Sequence, residues 1–194
     1  MATYTIFAGV NGAGKTSIYK SIYYERNKSE ERINTDEMVA RIGSWKDNNL
    51  QIKCAREAVE LINYYIKNDI SFNQETTLSG KSIVRNIKKA KQKGFYVVMN
   101  YIGVNNPGIA KERVRIRVLK GGHGIPDETI ERRYYESLDN LEEVLDVFDE
   151  INIYDNTNKF KHIAYICNGV IRWKREIIPN WSTNILNNKG DRHL

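Results

Sequence analysis

Eight consecutive residues, Gly9-Val10-Asn11-Gly12-Ala13-Gly14-Lys15-Thr16, fill the phosphate-loop pattern G-x-x-x-x-G-K-[ST] at every fixed position. Glycines there let backbone N–H groups turn toward a polyphosphate, and the N-terminus of a following helix adds a favourable dipole. Lys15 is expected at an exposed loop–helix junction, reaching the β- and γ-phosphates, with the Thr16 hydroxyl holding Mg²⁺. The nucleotide-contacting set is therefore Gly9, Asn11, Gly12, Ala13, Gly14, Lys15, Thr16 and Ser17. A glycine-rich turn that binds nothing needs neither the Lys-Thr pair nor the apolar run before it and the helical pattern after it. The segment predicts a bound nucleoside triphosphate.

A phosphate loop serves GTPases, ATPase motors and small-molecule kinases alike, so the reaction must be read from other residues. Asp36, in Ile33-Asn34-Thr35-Asp36, closes a short extended run. A carboxylate at the C-terminal edge of a strand lies at the crevice where open α/β sheets bind ligands, and there it can take the proton of an attacking hydroxyl. The competing role for Asp36 or Thr35 is to cap the helix that follows. A second constellation, Glu75-Thr76-Thr77-Leu78-Ser79, suits a polar acceptor or a water bound to Mg²⁺, although Thr77 or Ser79 could instead cap the next helix. A third is basic. Arg113 and Arg117 share a helix face, Arg133 flanks the inner stripe of the next helix, and Arg132 points away from it. Arginines on a segment hinged at Gly121-Gly122 can close over phosphates. His123, between glycines, could touch a ligand, but a lone loop histidine usually signifies little. No hydrophobic run ends in the Asp-x-x-Gly that a small GTPase requires, and no good guanine-selecting Asn-Lys-x-Asp appears.

The elements that must position these residues alternate between strand-like and helix-like runs, the pattern of βαβ units and a parallel sheet. Strands are predicted at 3–8, 31–34, 69–73, 95–102, 148–154, 161–167 and 170–176. Helices are predicted at 15–24, 80–92 and 109–119, with a long one around the stripe Ala55, Ala58, Val59, Ile62 and Ile66. A further helix starts at Asp127, with Ile130, Tyr134, Leu138, Leu141 and Leu145 inward. The inner stripe of 109–119 is read as Ala110, Val114 and Val118. One domain is expected over 1–180, with a lid near 108–135 and a weakly ordered tail over 181–194. The fold class expected is α/β, a three-layer phosphate-loop kinase fold with a mostly parallel sheet flanked by helices.

With 194 residues, 41% hydrophobic and 28% charged, the chain matches one soluble globular domain. No apolar run reaches a membrane span and no signal peptide is visible, so a cytoplasmic location is expected. Cys54 and Cys167 lie far apart without metal-ligand spacing and read as free thiols. The net charge of +6 invites a nucleic-acid reading. The lysines of 81–93, however, fall mostly on the outer face of one helix, without aromatic interleaving, so nucleic-acid binding is not expected.

Taken in order, G-V-N-G-A-G-K-T, I-N-T-D at Asp36, E-T-T-L-S-G at Glu75 and R-x-R-V-x-x-G-G-H-x-I-P-x-x-x-I-x-R-R-Y resemble the zeta-toxin family over residues 3 to about 145. The resemblance implies a phosphate-loop kinase, in several members the toxin of a toxin–antitoxin pair. It implies ATP and Mg²⁺ as co-substrate and metal, and a hydroxyl of a UDP-amino-sugar such as UDP-N-acetylglucosamine as acceptor. An antitoxin protein is implied as partner. Asp36 matches the family's catalytic base, Glu75 and Thr77 its substrate-binding acid and threonine, and Lys15 and Thr16 its nucleotide site. Arg113 or Arg117 stands for the first phosphate-clamping arginine and Arg133 or Arg132 for the second. Ser79 stands near an arginine that follows the threonine in some members, and the long C-terminal extension of larger toxins is missing. Two alternatives stay open: a kinase for another small hydroxyl compound (a nucleoside, a sugar or an antibiotic), and a nucleotide-dependent switch or ATPase. A switch needs no hydroxyl-activating base, and Asp36 with Glu75 argues against it.

Overall fold

Tyr4, Ile6 and Ala8 alternate with Thr5 and Phe7 along strand β1 (Thr3–Ala8), and all five are buried, so both faces of the strand are covered. That is the signature of a sheet with helices on each side. In the computed structural model, which describes residues 1–187, β1 lies inside a seven-stranded sheet of order β2-β3-β1-β4-β5-β6-β7. Strands β2 (Glu31–Ile33), β3 (Phe72–Thr76), β1, β4 (Tyr96–Gly103) and β5 (Glu150–Asp155) run parallel; β6 (Lys161–Cys167) and β7 (Val170–Lys174) return antiparallel. The expected α/β class and mostly parallel sheet are what forms. Because the register pairs Phe7 with Glu75 and Ala8 with Thr76, the parallel strands end together, and the loops after them share one edge.

Two apolar clusters fill the two sides. Tyr4, Ile6, Val97, Met99 and Tyr101 pack against α3 (Asn48–Lys67) and α4 (Lys81–Gln92) through residues such as Ile62, Ile66, Ile83 and Ile87. Phe7 and Ile102 pack against α1 (Lys15–Ile18) and α5 (Pro107–Leu119) through Ile18, Ala110 and Val114. Helix α6 (Asp127–Val144) joins both, with Ile130 and Tyr134 in the second cluster and Leu141 and Val144 in the first. No described helix is long and apolar enough to cross a membrane.

The differences from the sequence expectation have local causes. The helix expected over 15–24 is one α turn that widens into a π turn at Tyr19–Tyr23 and tightens again at Tyr24–Arg26. Through that widening both Tyr19 and Tyr23 pack edge-on against Phe7, at 5.4 and 5.1 Å between ring centroids. Strand β3 begins at Phe72, not Asp69, because Asp69 takes a left-handed conformation (φ 54°) as the chain leaves α3. Ala55 and Val59 are exposed, and Cys54 and Tyr65 join Ala58, Ile62 and Ile66 on the buried face of α3. Val118 is also exposed, because α5 leaves the core after Val114 and projects toward the loop at 120–126.

The segment after Pro179 is packed where a weakly ordered tail was expected. Trp181, Ile185 and Leu186 are buried around a short helix α7 (Thr183–Asn187), and the Trp181 indole N–H donates to Asp155 Oδ1 at 3.0 Å. The indole lies so close to Gly103 that a Cβ there would collide with it. Residues 188–194, the rest of the expected tail, lie outside the described residues. Among the described residues both cysteines are free thiols, Cys54 buried and Cys167 half-buried. Lysines of α4 are tied down by neighbours, Lys88 to Glu143, Lys91 to Asp149 and Lys89 to Asn63, leaving less free positive charge than composition suggested.

Candidate active site

The phosphate loop occupies the turn between β1 and α1, and glycine is required at its start. Gly9 sits at φ 138°, and a Cβ there would run into the Ile102 carbonyl oxygen of the adjacent strand. The loop is held from three sides. Ala13 N–H donates to the Val10 carbonyl at 3.1 Å, Asn156 Nδ2 donates to the Ala13 carbonyl at 2.8 Å, and Arg133 Nη1 reaches Asn11 Oδ1 at 3.1 Å. Lys15, expected to be exposed, is buried and donates to the Val10 carbonyl at 3.1 Å. Burial pulls its amine below the ordinary lysine range, against the opposing pull of Glu75 and Asp36. A bound polyphosphate would reverse that strain by supplying the missing negative charge.

Asn34, not Asp36 or Thr35, caps the helix α2 (Thr35–Ile42): its Oδ1 accepts from Asp36 N at 3.0 Å and Glu37 N at 3.3 Å. The Asp36 carboxylate is thereby left for other work, and it lines a cavity of about 570 Å³. Burial tends to raise its pKa, but the contact with His123 and the positive charges of Lys15 and Arg117 outweigh this and hold the carboxyl below its usual range. Neither Thr77 nor Ser79 caps α4; their hydroxyls meet each other at 2.7 Å, and Gly80 takes the cap position without a side-chain bond.

Glu75 is the hub of the acidic side. It accepts from Thr16 Oγ1 at 2.8 and 3.1 Å, from Arg32 Nη2 at 2.9 Å and from Asn34 Nδ2 at 3.0 Å. Arg32 is itself fixed by Glu37, by Asn73 and by the Tyr19 ring, 3.5 Å from the guanidinium carbon to the ring centroid. The Thr16 hydroxyl spends its hydrogen on Glu75, so its oxygen lone pairs face outward, as an oxygen ligand for Mg²⁺ requires.

The arginines separate. Arg133 lines the cavity, whereas Arg132 pairs with Glu136 on the exposed face of α6. Arg113 lies beside the phosphate loop, its Nη2 donating to the Thr157 carbonyl at 3.1 Å while its buried Nη1 has no protein partner. Arg117 turns to the loop at 120–126, with Nε on the His123 carbonyl at 3.1 Å. Burial depresses both Arg117 and Arg133 below the ordinary guanidinium value. The cavity therefore gathers Asn11, Lys15, Asp36, Glu75, Thr77 and Arg133; Ser79 is not among the lining residues. It also gathers residues that sequence reading gave little or no weight, namely His123, Trp45, Gln51 and Gln74. Trp45 stacks on His123, ring centroids 3.8 Å apart and planes 15° from parallel. A tryptophan in a polar loop, away from any helical stripe, was the signal that could have found it.

A family model described as zeta toxin matches residues 3–164. The chain belongs to the zeta-toxin family. An uncharacterized protein of Haemophilus influenzae (strain Rd) is 35% identical over 128 residues, 66% of this chain and 89% of that protein. Among solved structures, the AvrRxo1-ORF1:-ORF2 complex with ATP aligns with a TM-score of 0.70 at 13% identity, over 88% of this chain and 60% of that one. The Streptococcus pneumoniae PezAT toxin–antitoxin system aligns with a TM-score of 0.60 at 17% identity, over 84% of this chain and 71% of that one. This zeta-toxin chain thus shares the fold of both while spanning only part of each.

Proposed function

We propose that this zeta-toxin family member transfers the γ-phosphoryl group of ATP to a hydroxyl of a small molecule seated between α2, α3 and the lid. The observation that carries the reading is a single cavity that Lys15 and Arg133 line together with Asp36 and Thr77. Lys15 and Arg133 neutralise charge on the transferring group, Arg113 stands beside the phosphate loop, and Asp36 takes the proton of the acceptor hydroxyl. Thr16, with Glu75 behind it, would hold Mg²⁺, which neutralises the β- and γ-phosphate oxygens when bound. Family membership makes a UDP-amino-sugar such as UDP-N-acetylglucosamine the first acceptor to test, with Thr77 and Glu75 on the acceptor side. A second acceptor class, a nucleoside, sugar or antibiotic, is favoured by the uncharged wall of Trp45, Asn48, Gln51 and Gln74 and by Ser79 turning to Thr77 where some members carry an arginine. The toxin–antitoxin pairing of the PezAT neighbour supports an antitoxin partner, and two free thiols support a reducing cytoplasmic setting.

The test is phosphoryl transfer from ATP to UDP-N-acetylglucosamine, set beside a panel of nucleosides and sugars, by wild type and Asp36→Asn. The amide is nearly isosteric and takes no proton, so transfer should fall by about 10²- to 10⁴-fold while ATP affinity holds. Normal transfer by Asp36→Asn refutes the base assignment. ATP turnover with no dependence on any acceptor refutes the kinase reading in favour of an ATPase.

A further inference from the structure

The lid loop brings an imidazole onto the carboxylate assigned as the base. His123 Nε2 lies 3.3 Å from Asp36 Oδ2 and 3.2 Å from Arg117 Nη2. A guanidinium only donates, so Nε2 can pair with Arg117 only in the neutral tautomer that carries hydrogen on Nδ1, where it is bare. A carboxylate oxygen only accepts. Two acceptors then face each other across 3.3 Å, and the contact is satisfied only when a proton lies between them. If Nε2 carries the hydrogen, Asp36 is satisfied and an N–H is turned on Arg117. A bare Nε2 therefore accepts from Arg117 and, once it takes a proton, turns its N–H to Asp36.

The imidazole is held there from every side. Trp45 covers one ring face, Arg117 Nε anchors the His123 carbonyl, and Gly122 packs so tightly that a Cβ would lie 2.6 Å from Arg117 Cγ. The His123 side chain is only 12% exposed, against 44% for Asp36, so the carboxylate keeps an open side for an acceptor while the ring stands behind it. The groups facing His123 are Asp36 from α2, Arg117 from α5 and Trp45 from the loop before α3. Lys15 adds its charge at Asp36, and Glu75 and Arg133 line the same cavity.

We propose that His123 is a positioning residue for Asp36 that takes from it the proton released by the acceptor hydroxyl. The inference rests on the base assignment above. As the acceptor oxygen bonds to the γ-phosphorus, its O–H bond breaks, and the bond from γ-phosphorus to the β,γ-bridging oxygen breaks with its electron pair going to ADP. The proton passes to Asp36 Oδ2 and then to His123 Nε2, leaving a carboxylate beside an imidazolium, which loses the proton to water when the lid opens. Because His123 arrives with the lid loop, the base reaches full strength only over a closed site, which protects ATP from hydrolysis in its absence.

The experiment is the pH dependence of kcat with ATP and the accepted hydroxyl compound for wild type, His123→Gln and Asp36→Asn. Wild type should lose kcat on the acid side, where a protonated ring has no lone pair to offer. His123→Gln keeps a polar group of similar reach, so it should lose that acid limb and lower kcat by about tenfold, less than loss of a group that takes the proton directly, with the KM for ATP unchanged. An unchanged limb and kcat in His123→Gln overturn the proposal, whereas a fully active Asp36→Asn overturns the base assignment instead. A readout free of turnover uses NMR. The chain has three histidines, so the His123→Gln spectrum assigns the His123 ring, and with a non-hydrolysable ATP analogue bound the ¹⁵N shift that reports whether Nε2 carries hydrogen should change in Asp36→Asn. Identical ¹⁵N shifts in the two proteins overturn the coupling.

Discussion

Replacing Glu75 by glutamine changes one atom and reverses a hydrogen bond to Thr16, the proposed Mg²⁺ ligand. In the native site Oε2 accepts from Arg32 and Asn34, while Thr16 donates mainly to Oε1, at 2.8 Å against 3.1 Å to Oε2. The glutamine carbonyl best serves Arg32 and Asn34, because both only donate there, and its NH₂ is then directed at Thr16. The Thr16 hydroxyl turns from donor to acceptor and commits a lone pair that Mg²⁺ would use. Outer-shell changes of this kind cost about 10- to 100-fold in metal affinity or activity. For stability, Arg32 loses a charged partner that is about as buried as itself, but it keeps Glu37 and Asn73. The cost is therefore that of one charge-assisted hydrogen bond, about 1.5–3 kcal/mol, below the 3–5 kcal/mol of an ion pair broken outright. In a chain of this length that lowers Tm by about 3–12 °C. Thermal unfolding, and ATP turnover titrated with Mg²⁺, read the two effects separately. A Glu75→Gln protein with native Tm and native Mg²⁺ dependence would refute the reasoning at both points.

Arg133→Ala should lower kcat by about 10²- to 10³-fold, the scale of losing one oriented donor at the transferring group. Arg132→Ala, which loses only an exposed pair with Glu136, should stay within about twofold; equal effects in a steady-state assay would undo the separation of the two side chains. Trp181→Ala should destabilise the fold by about 3–5 kcal/mol, because it empties a buried indole site and leaves Asp155 without that donor. Urea unfolding monitored by circular dichroism checks it, and a loss under about 1 kcal/mol would mean that the C-terminal segment is not integral to the core.

The phosphate loop and the strands around it were legible because their demands are local. A Gly-rich turn, a Lys-Thr pair and a β-rich run such as 95–102 state their structure within a few residues. Asp36 and Glu75 were legible as candidates, but their partners were not. Arg32 sits on a three-residue strand too short to show a pattern, and its pairing with Glu75 depends on β2 lying beside β3. His123 and Trp45 belong to two loops 78 positions apart that meet only across the finished cavity, so neither residue alone carried a signal. The tail was misread for a similar reason: its apolar residues are few, and only Gly103, at the far end of β4, reveals the slot that Trp181 fills.

The Trp181–Gly103 contact makes two remote positions answerable to one another. A relative that carries any side chain where Gly103 stands has to give up the indole at position 181, and with it the donor on Asp155. Asp155 in turn accepts from Thr157, whose carbonyl receives Arg113 beside the phosphate loop. A fusion joint or stop codon placed at residue 180 would therefore loosen the nucleotide end of the site from behind, and an expression boundary for this fold belongs after α7.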